Sequence, residues 1–316
     1  VAARTVIALG GNAISPAGTA GTAEEQTANL HRSMRQVAEL VAAGLGQLVL
    51  THGNGPQVGN VLIKNDLAKH VVPPVPLDWC VAQTQATIGF TIANTLTHEL
   101  AARGLRLPVV PVVSRVLVDR DDPGFATPTK PIGGYLTDAD EVARREADGE
   151  VFVRQGDRGW RRVVASPEPR ACVDRPAIEL LLDDGAVVVA NGGGGIPVVD
   201  DGDGPLRGIE AVIDKDLAGA RLAEEIGATR FVVLTDVDGV ALDHGTPQER
   251  WLGTVAPAEL RAAQQDGQFA AGSMGPKVEA VCRFVERIGG VAAIASLDDA
   301  VGAVRGDAGT QVRGDA

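Results

Sequence analysis

Val6-Ile7-Ala8-Leu9 is an apolar run that stops at Gly10-Gly11-Asn12, and Gln47-Leu48-Val49-Leu50-Thr51 leads in the same way into His52-Gly53-Asn54-Gly55-Pro56. Between the two, Thr22 stands three residues before Glu25, the spacing of a capping box. Leu30, Met34, Val37 and Val41 then follow at spacings that place them on one helix face, and Gly44 and Gly46 close the segment. Strand, helix, strand within about fifty residues is a βαβ unit. Such units build parallel sheets with right-handed crossovers.

The same texture continues outward. Ile88, Ile92, Leu96 and Leu100 mark a long helix, and Leu107 to Val113 reads as a strand that its prolines place near a sheet edge. Ala186 to Ala190 is a strand running into Asn191 and Gly192 to Gly195. Ala211 to Ile213 reads as a short strand, with Asp214 capping a helix that turns Ala218, Leu222 and Ile226 inward. Phe231 to Leu234 is a strand ending at Thr235-Asp236-Val237-Asp238-Gly239. Val278, Val281, Val285 and Ile288 give a late helix, Val291 to Ala295 a late strand, and Gly309 to Val312 a last one. The segment 119–169 interrupts this pattern with charge, proline and glycine. Within it, Val151 to Arg154 and Trp160 to Val164 read as a hairpin about residues 155–159, a small excursion from the main sheet that could serve as a lid or be a plain surface insertion.

Composition narrows the classes. The 316 residues fit two domains or one large α/β domain, and 45% hydrophobic with 22% charged residues is ordinary globular material. The net charge of −12 disfavours nonspecific binding to nucleic acid or anionic membrane, though not a local basic pocket. Cys80, Cys172 and Cys282 are far apart and odd in number, the pattern of inert thiols rather than a disulfide framework. No apolar run reaches the roughly 18 residues of a membrane span. The opening residues read as a first strand rather than a signal peptide, so the expected location is cytoplasmic.

Glycine supplies 39 residues, about 12% of the chain against a usual 7% or so. Three glycine-rich turns, at Gly10-Gly11, Gly53 to Gly59 and Gly192 to Gly195, follow strands and would share the carboxyl edge of one sheet, where open α/β folds bind ligands. Backbone N–H groups there can approach an anion; tight packing is the competing reason for glycine. The dinucleotide and P-loop fingerprints are absent, as are a zincin motif, a nucleophile elbow and a kinase catalytic-loop signature, and five scattered histidines give a structural zinc site little support.

Lysines are few: Lys64, Lys69, Lys130, Lys215 and Lys277. Lys130, Lys215 and Lys277 stand beside turns or helix starts, where an ammonium can serve as a point charge for a moving phosphoryl group or simply be solvated. Asn12 and Asn54 suit either left-handed turns or amide binding of a small planar oxyanion. His52 reads as a base or as a turn stabiliser, and Asp236 and Asp238 as ligand-binding or turn residues.

The runs ALGGNA (8–13), THGNGPQVGN (51–60), KPIGG (130–134), GGGGIPV (192–198), EAVIDKD (210–216), LTDVDGV (234–240) and GSMGPKVEA (272–280) stand in this order. Together they resemble the carbamate kinases of the amino acid kinase superfamily, over nearly the whole chain. Acetylglutamate and aspartate kinases usually carry a lysine where this chain has Ala8; Lys130 is the expected substitute charge.

The resemblance implies one amino acid kinase domain over 1–316. Its fold would be an α/β three-layer αβα sandwich around a mainly parallel open sheet, with a small protruding lid-like subdomain at 119–169. Residues 1–210 would serve mainly carbamate or carbamoyl phosphate, and 211–316 mainly the nucleotide. It implies ATP plus carbamate in reversible exchange with ADP plus carbamoyl phosphate, run toward ATP in arginine catabolism. Mg²⁺ would come with the nucleotide, without a protein cage or a tightly bound cofactor. The expected partners are these small molecules and a second copy in a homodimer, with neither nucleic acid nor membrane. The expected catalytic set is Lys130, Lys215, Lys277 and Asp214, with Asp214 orienting Lys215. Gly10, Gly11, Asn12, His52, Gly53 and Asn54 would bind substrate. Gly194, Gly195, Lys215, Thr235, Asp236, Val237, Met274, Gly275 and Lys277 would bind nucleotide. Another acyl-phosphate-forming kinase, or a silent nucleotide-binding regulator of this fold, are the alternatives.

Overall fold

The computed structural model describes residues 3–15, 19–202, 204–270 and 272–314, apart from the side chain of Asn12. The first βαβ unit forms as its sequence predicts. Strand β1 (Arg4–Leu9) is followed by α1 (Ala23–Ala42) and β2 (Gln47–His52), and β1 pairs with β2 in parallel. The capping box at the start of α1 is complete, with Glu25 N–H donating to Thr22 and the Glu25 carboxylate accepting from Thr22 N–H.

The chain continues through α2 (Gly55–Ala68), α3 (Leu77–Ala102) and β3 (Val109–Pro111). It then leaves the sheet to form β4 (Lys130–Leu136), β5 (Val151–Arg154) and β6 (Trp160–Val164). It returns through β7 (Val187–Val189), α4 (Lys215–Glu225), β8 (Arg230–Thr235) and β9 (Thr254–Val255). The last elements are α5 (Met274–Ile288), β10 (Val291–Ser296) and β11 (Thr310–Val312). The main sheet has the order β9-β11-β10-β8-β1-β2-β7-β3, and every pairing is parallel except β10 with β11.

Two cores lie on opposite faces of this sheet, which makes the molecule a three-layer αβα sandwich. The alternation of β1 decides the faces. Val6 and Ala8 pack with Leu222, Val278, Val281 and Val285 of α4 and α5. Ile7 and Leu9 pack with Leu30, Met34 and Val37 of α1 and with Ile88, Ile92 and Leu96 of α3. The helix faces read from spacing are therefore the buried faces, except that Val41 is only partly buried and Ile288, the last residue of α5 before the left-handed Gly289, is exposed.

Two other expectations are corrected. The strand expected over Leu107 to Val113 shortens to Val109–Pro111 between prolines, although it does take the sheet edge. Ala211 to Ile213 is not a strand. It is buried chain outside the sheets, tied to the excursion by the Val212 N–H donating to the Ala165 carbonyl. The excursion is a three-stranded antiparallel sheet in the order β4-β6-β5, spanning residues 130–164 inside the segment read from composition. It meets the body of the molecule at Gly59 of α2. A Cβ placed there would lie 2.1 Å from the Gly133 Cα, so only glycine allows the two backbones this approach.

Candidate active site

Strands β8, β1, β2 and β7 are neighbours and parallel, so their carboxyl ends deliver four turns to one edge. The Gly10 N–H donates to the Leu234 carbonyl and the Gly53 N–H to the Leu9 carbonyl, which locks the first two turns to their neighbouring strands. A Cβ on Gly53 would come within 3.2 Å of the Lys215 Cδ and 3.3 Å of the Gly11 nitrogen. The missing side chain is therefore what lets the lysine stem lie against the first glycine turn. The four-glycine turn after β7 is packed just as tightly. A Cβ on Gly192 would strike His52, one on Gly193 would strike Asn54, and those on Gly194 and Gly195 would strike Ile213 and Val116.

Asp214 is the N-cap of α4. Its Oδ1 accepts from the N–H groups of Asp216 and Leu217, and its Oδ2 accepts from Lys130 Nζ at 2.5 Å. The expectation that Asp214 orients Lys215 is thus corrected: its carboxylate is occupied by the cap and by the lysine of the excursion. Asp216, which the sequence reading passed over, takes the other role. Its Oδ1 accepts from Lys215 Nζ at 2.5 Å and its Oδ2 from Lys277 Nζ at 3.0 Å. One buried carboxylate binds both ammonium groups, from the starts of α4 and α5.

These environments set the protonation states. Burial pulls Lys215 down to about 8, against the opposing attraction of Asp216. Burial also opposes charge on Lys277, but the Asp216 carboxylate outweighs it and its pKa ends raised. Asp214 and Asp216 would be raised by burial alone; Lys130 for the first, and Lys215 with Lys277 for the second, hold both below the usual carboxylate range. His52 is 1% exposed, and burial lowers it to about 4, so it is neutral at pH 7. Its Nδ1 lies 3.0 Å from the Gly53 carbonyl and its ring packs beneath Gly192, the setting of a turn stabiliser.

The three lysines and two aspartates line a cleft of about 310 Å³ together with Gly11, Gly53, Asn54, Gly193 and Arg161. Asn54 is not left-handed (φ −144°), and its amide donates to the Thr84 hydroxyl at 2.9 Å. Ser273 lines both this cleft and an adjoining cavity of about 340 Å³, whose walls include Val237, Asp243, His244, Trp251, Phe269 and Met274. Of the expected nucleotide residues, Val237 and Met274 lie in this second cavity and Lys215 and Lys277 in the first. Gly194, Gly195 and Gly275 line neither cavity and pack against Ile213, Val116 and Ala270, and Thr235 is buried with its hydroxyl donating to Asp236. The backbone of Asn12 sits in the single helical turn Gly11–Ala13, while its side chain lies outside the described residues. Ser273 stands in the run 272–280 and Arg161 in the expected hairpin strand Trp160 to Val164, but nothing in either run marks which side chain reaches the cleft.

The cleft's two carboxylates already accept from lysines, so they form no cage for a divalent ion. Elsewhere, His31, His98 and Glu99 bring ligand atoms within 4.8 Å of one another. Arg103 at 2.6 Å and Arg35 at 4.0 Å from the Glu99 carboxylate make that a poor cation site. No helix among the described residues is long and apolar enough to cross a membrane.

Comparison with known proteins agrees with this geometry. The amino acid kinase family model matches residues 3–296. The chain is 47% identical to a carbamate kinase of Thermococcus kodakarensis, over 98% of each chain. A crystal structure from Aeropyrum pernix superposes with a TM-score of 0.93 at 44% identity, covering 98% of this chain and 99% of the other. The carbamate kinase of Giardia lamblia bound to AMP-PNP superposes with a TM-score of 0.91 at 36% identity, over 99% of both chains. The same Giardia enzyme has also been seen thiocarbamoylated by disulfiram on a cysteine. A shared fold, a cleft where paired lysines meet glycine turns, and identity along almost the full length place this chain in the amino acid kinase family, among the carbamate kinases.

Proposed function

We propose that the protein transfers a phosphoryl group between ATP and carbamate, reversibly, giving ADP and carbamoyl phosphate. The observation that carries the reading is the convergence of Lys130, Lys215 and Lys277 on one cleft beside the Gly11 and Gly53 turns. Both reactants are anions. The work of the site is to hold them in line and offset charge as it moves, with no protein nucleophile. In this reading the adenosine occupies the Met274 cavity, its phosphates pass Ser273 to Lys215 and Lys277, and the carbamoyl side lies by Gly11, Asn12, Gly53 and Asn54. Lys130 reaches in from the excursion over 119–169, which acts as a lid. Residues 1–210 serve mainly the carbamoyl side and 211–316 mainly the nucleotide. Asp214 positions Lys130, and Asp216 positions the other two.

Mg²⁺ would enter on the nucleotide phosphates and spread their charge. The enzyme would act in the cytoplasm as a homodimer and run toward ATP in arginine catabolism. A coupled assay supplied with ADP and carbamoyl phosphate should yield ATP, while N-acetylglutamate with ATP should leave no acyl phosphate for a hydroxylamine trap. ATP formation absent from the first, or acyl phosphate present in the second, rejects the assignment.

The thiols give a further prediction. Cys80, Cys172 and Cys282 are all buried, and none lines either cavity. Burial pushes Cys172 and Cys282 up to about 12 and raises Cys80, so little thiolate is available to attack a disulfide. Incubation of the folded protein with disulfiram should leave its activity unchanged and add no mass by intact-protein mass spectrometry.

A further inference from the structure

We propose that Arg161 is the residue of the lid that recognises the carbamoyl-side substrate: carbamate in one direction, carbamoyl phosphate in the other. This inference rests on the function proposed above. It starts from the charges in the cleft. Lys130 is paired with Asp214, and Lys215 and Lys277 share Asp216. Arg161 lines the same cleft, yet makes no ion pair with any described residue. It is the cation there whose charge the protein leaves uncompensated, and it is partly buried.

Its geometry is fixed from behind. Between Ile132 and Tyr135 the pairing of β4 with β6 shifts register, and Gly133 takes φ +67° inside the irregularity. The Gly133 carbonyl accepts from Arg161 Nε at 3.1 Å, and the guanidinium carbon lies 5.6 Å from the centre of the Tyr135 ring. Held by Nε, the guanidinium keeps its two terminal nitrogens for a ligand. That planar fork matches two oxygens of a carboxylate or a phosphoryl group, which a lysine cannot do.

The side of the reaction follows from connectivity. Arg161 and Lys130 both belong to the antiparallel lid, which rests on α2 through Gly59 and Gly133, and α2 begins directly after Gly53 and Asn54. Arg161 takes no part in the adjoining cavity that holds Met274. It therefore faces the acceptor, not the nucleoside. The same anchor makes it a reporter of lid position, since ligand bound to the fork is bound to the Gly133 junction as well.

The test is the steady-state kinetics of wild type, Arg161→Ala and Arg161→Lys with ADP and carbamoyl phosphate, with circular dichroism to verify folding. Loss of a charge-assisted contact should raise the KM for carbamoyl phosphate on the order of 30-fold in Arg161→Ala, with the KM for ADP within about threefold. Arg161→Lys should recover only part, because charge returns without the fork. Added guanidinium ion should lower the raised KM of Arg161→Ala, which a purely structural role in the lid would not permit. An unchanged KM for carbamoyl phosphate in both variants, an equal rise for ADP, or no rescue by guanidinium overturns the inference while leaving the reaction assigned. A wild-type protein that makes no ATP overturns the reaction and this inference together.

Discussion

Replacing Lys215 with alanine should lower kcat by about 10²–10³-fold in the ADP plus carbamoyl phosphate assay, with the protein still folded. Three features of its position combine to make the loss this large. Its stem is guided by Gly53 against Gly11, its ammonium is held at 2.5 Å from Asp216, and only 12% of its side chain meets solvent. An ammonium fixed before the reaction begins needs no reorganisation as charge develops, and in a site that excludes water it interacts more strongly than at a surface. One such donor accounts for about 3–4 kcal/mol of transition-state stabilisation, which sets the fold-change. Lys277→Ala should fall in the same range, since it shares the carboxylate. His52→Ala should cost less in kcat than either, because the ring is neutral, faces away from the cleft and acts through the Gly53 turn. A His52→Ala loss larger than that of Lys215→Ala would reverse the roles assigned to the two residues.

The protonation of Lys215 adds a second readout. Burial holds its pKa at about 8, so in the free enzyme the charge is present below pH 8 and lost above it. The ratio kcat/KM for ADP, which reports the free enzyme, should therefore decline above about pH 8. Bound phosphate favours the ammonium, so the corresponding fall in kcat should come at higher pH. Lys215→Arg, whatever its residual rate, should lose this alkaline limb. The stability effect has the opposite sign. A lysine whose folded pKa is depressed disfavours folding while it is charged, and this penalty eases as pH rises from about 8 toward the ordinary lysine value.

Much of this was legible in the chain because strand order and turn chemistry are local signals. Val6 to Leu9 and Gln47 to Thr51 alternate faces and stop at glycines, and the glycines turn out to mark the places where two backbones, or a backbone and a lysine, come together. Ion-pair choice was not legible. Asp214 and Asp216 flank Lys215 symmetrically in sequence; only the start of α4 turns one carboxylate onto the helix N–H groups and Lys130 and leaves the other for Lys215. Arg161 and Arg162 are equally indistinct as neighbours. On a strand they point to opposite faces, so Arg162 pairs with Glu150 at 3.1 Å while Arg161 enters the cleft. The register of β6 makes that choice, and a slip of one residue would exchange them. Ala211 to Ile213 misled for a related reason: a buried apolar tripeptide looks the same whether it joins a sheet or lies between the excursion and a helix.

Asp216→Asn should be as damaging as the loss of a lysine, although the residue carries no positive charge toward the substrate. The carboxamide keeps the shape and one acceptor oxygen but removes the charge that holds two ammonium groups together. Two outcomes compete. Added net positive charge in the cleft favours phosphate, which would keep the KM for ADP close to that of wild type. Against this, Lys215, already lowered to about 8, and Lys277, raised chiefly by Asp216, both lose their counter-charge and repel one another. The second effect governs the rate, because a deprotonated or displaced lysine cannot follow the moving phosphoryl group. We expect kcat at pH 7.5 to fall about 10²–10³-fold and the alkaline limb of kcat/KM to move at least about one pH unit downward, with partial recovery near pH 6. Breaking a buried ion pair from one side costs about 3–5 kcal/mol, so the melting temperature should drop at pH 7.5. The drop should shrink at pH 9.5, where the lysines can shed the protons that make their burial unfavourable. A variant that melts lower by the same amount at both pH values, with its kcat/KM limb still near 8, would mean that Asp216 acts through packing rather than through charge.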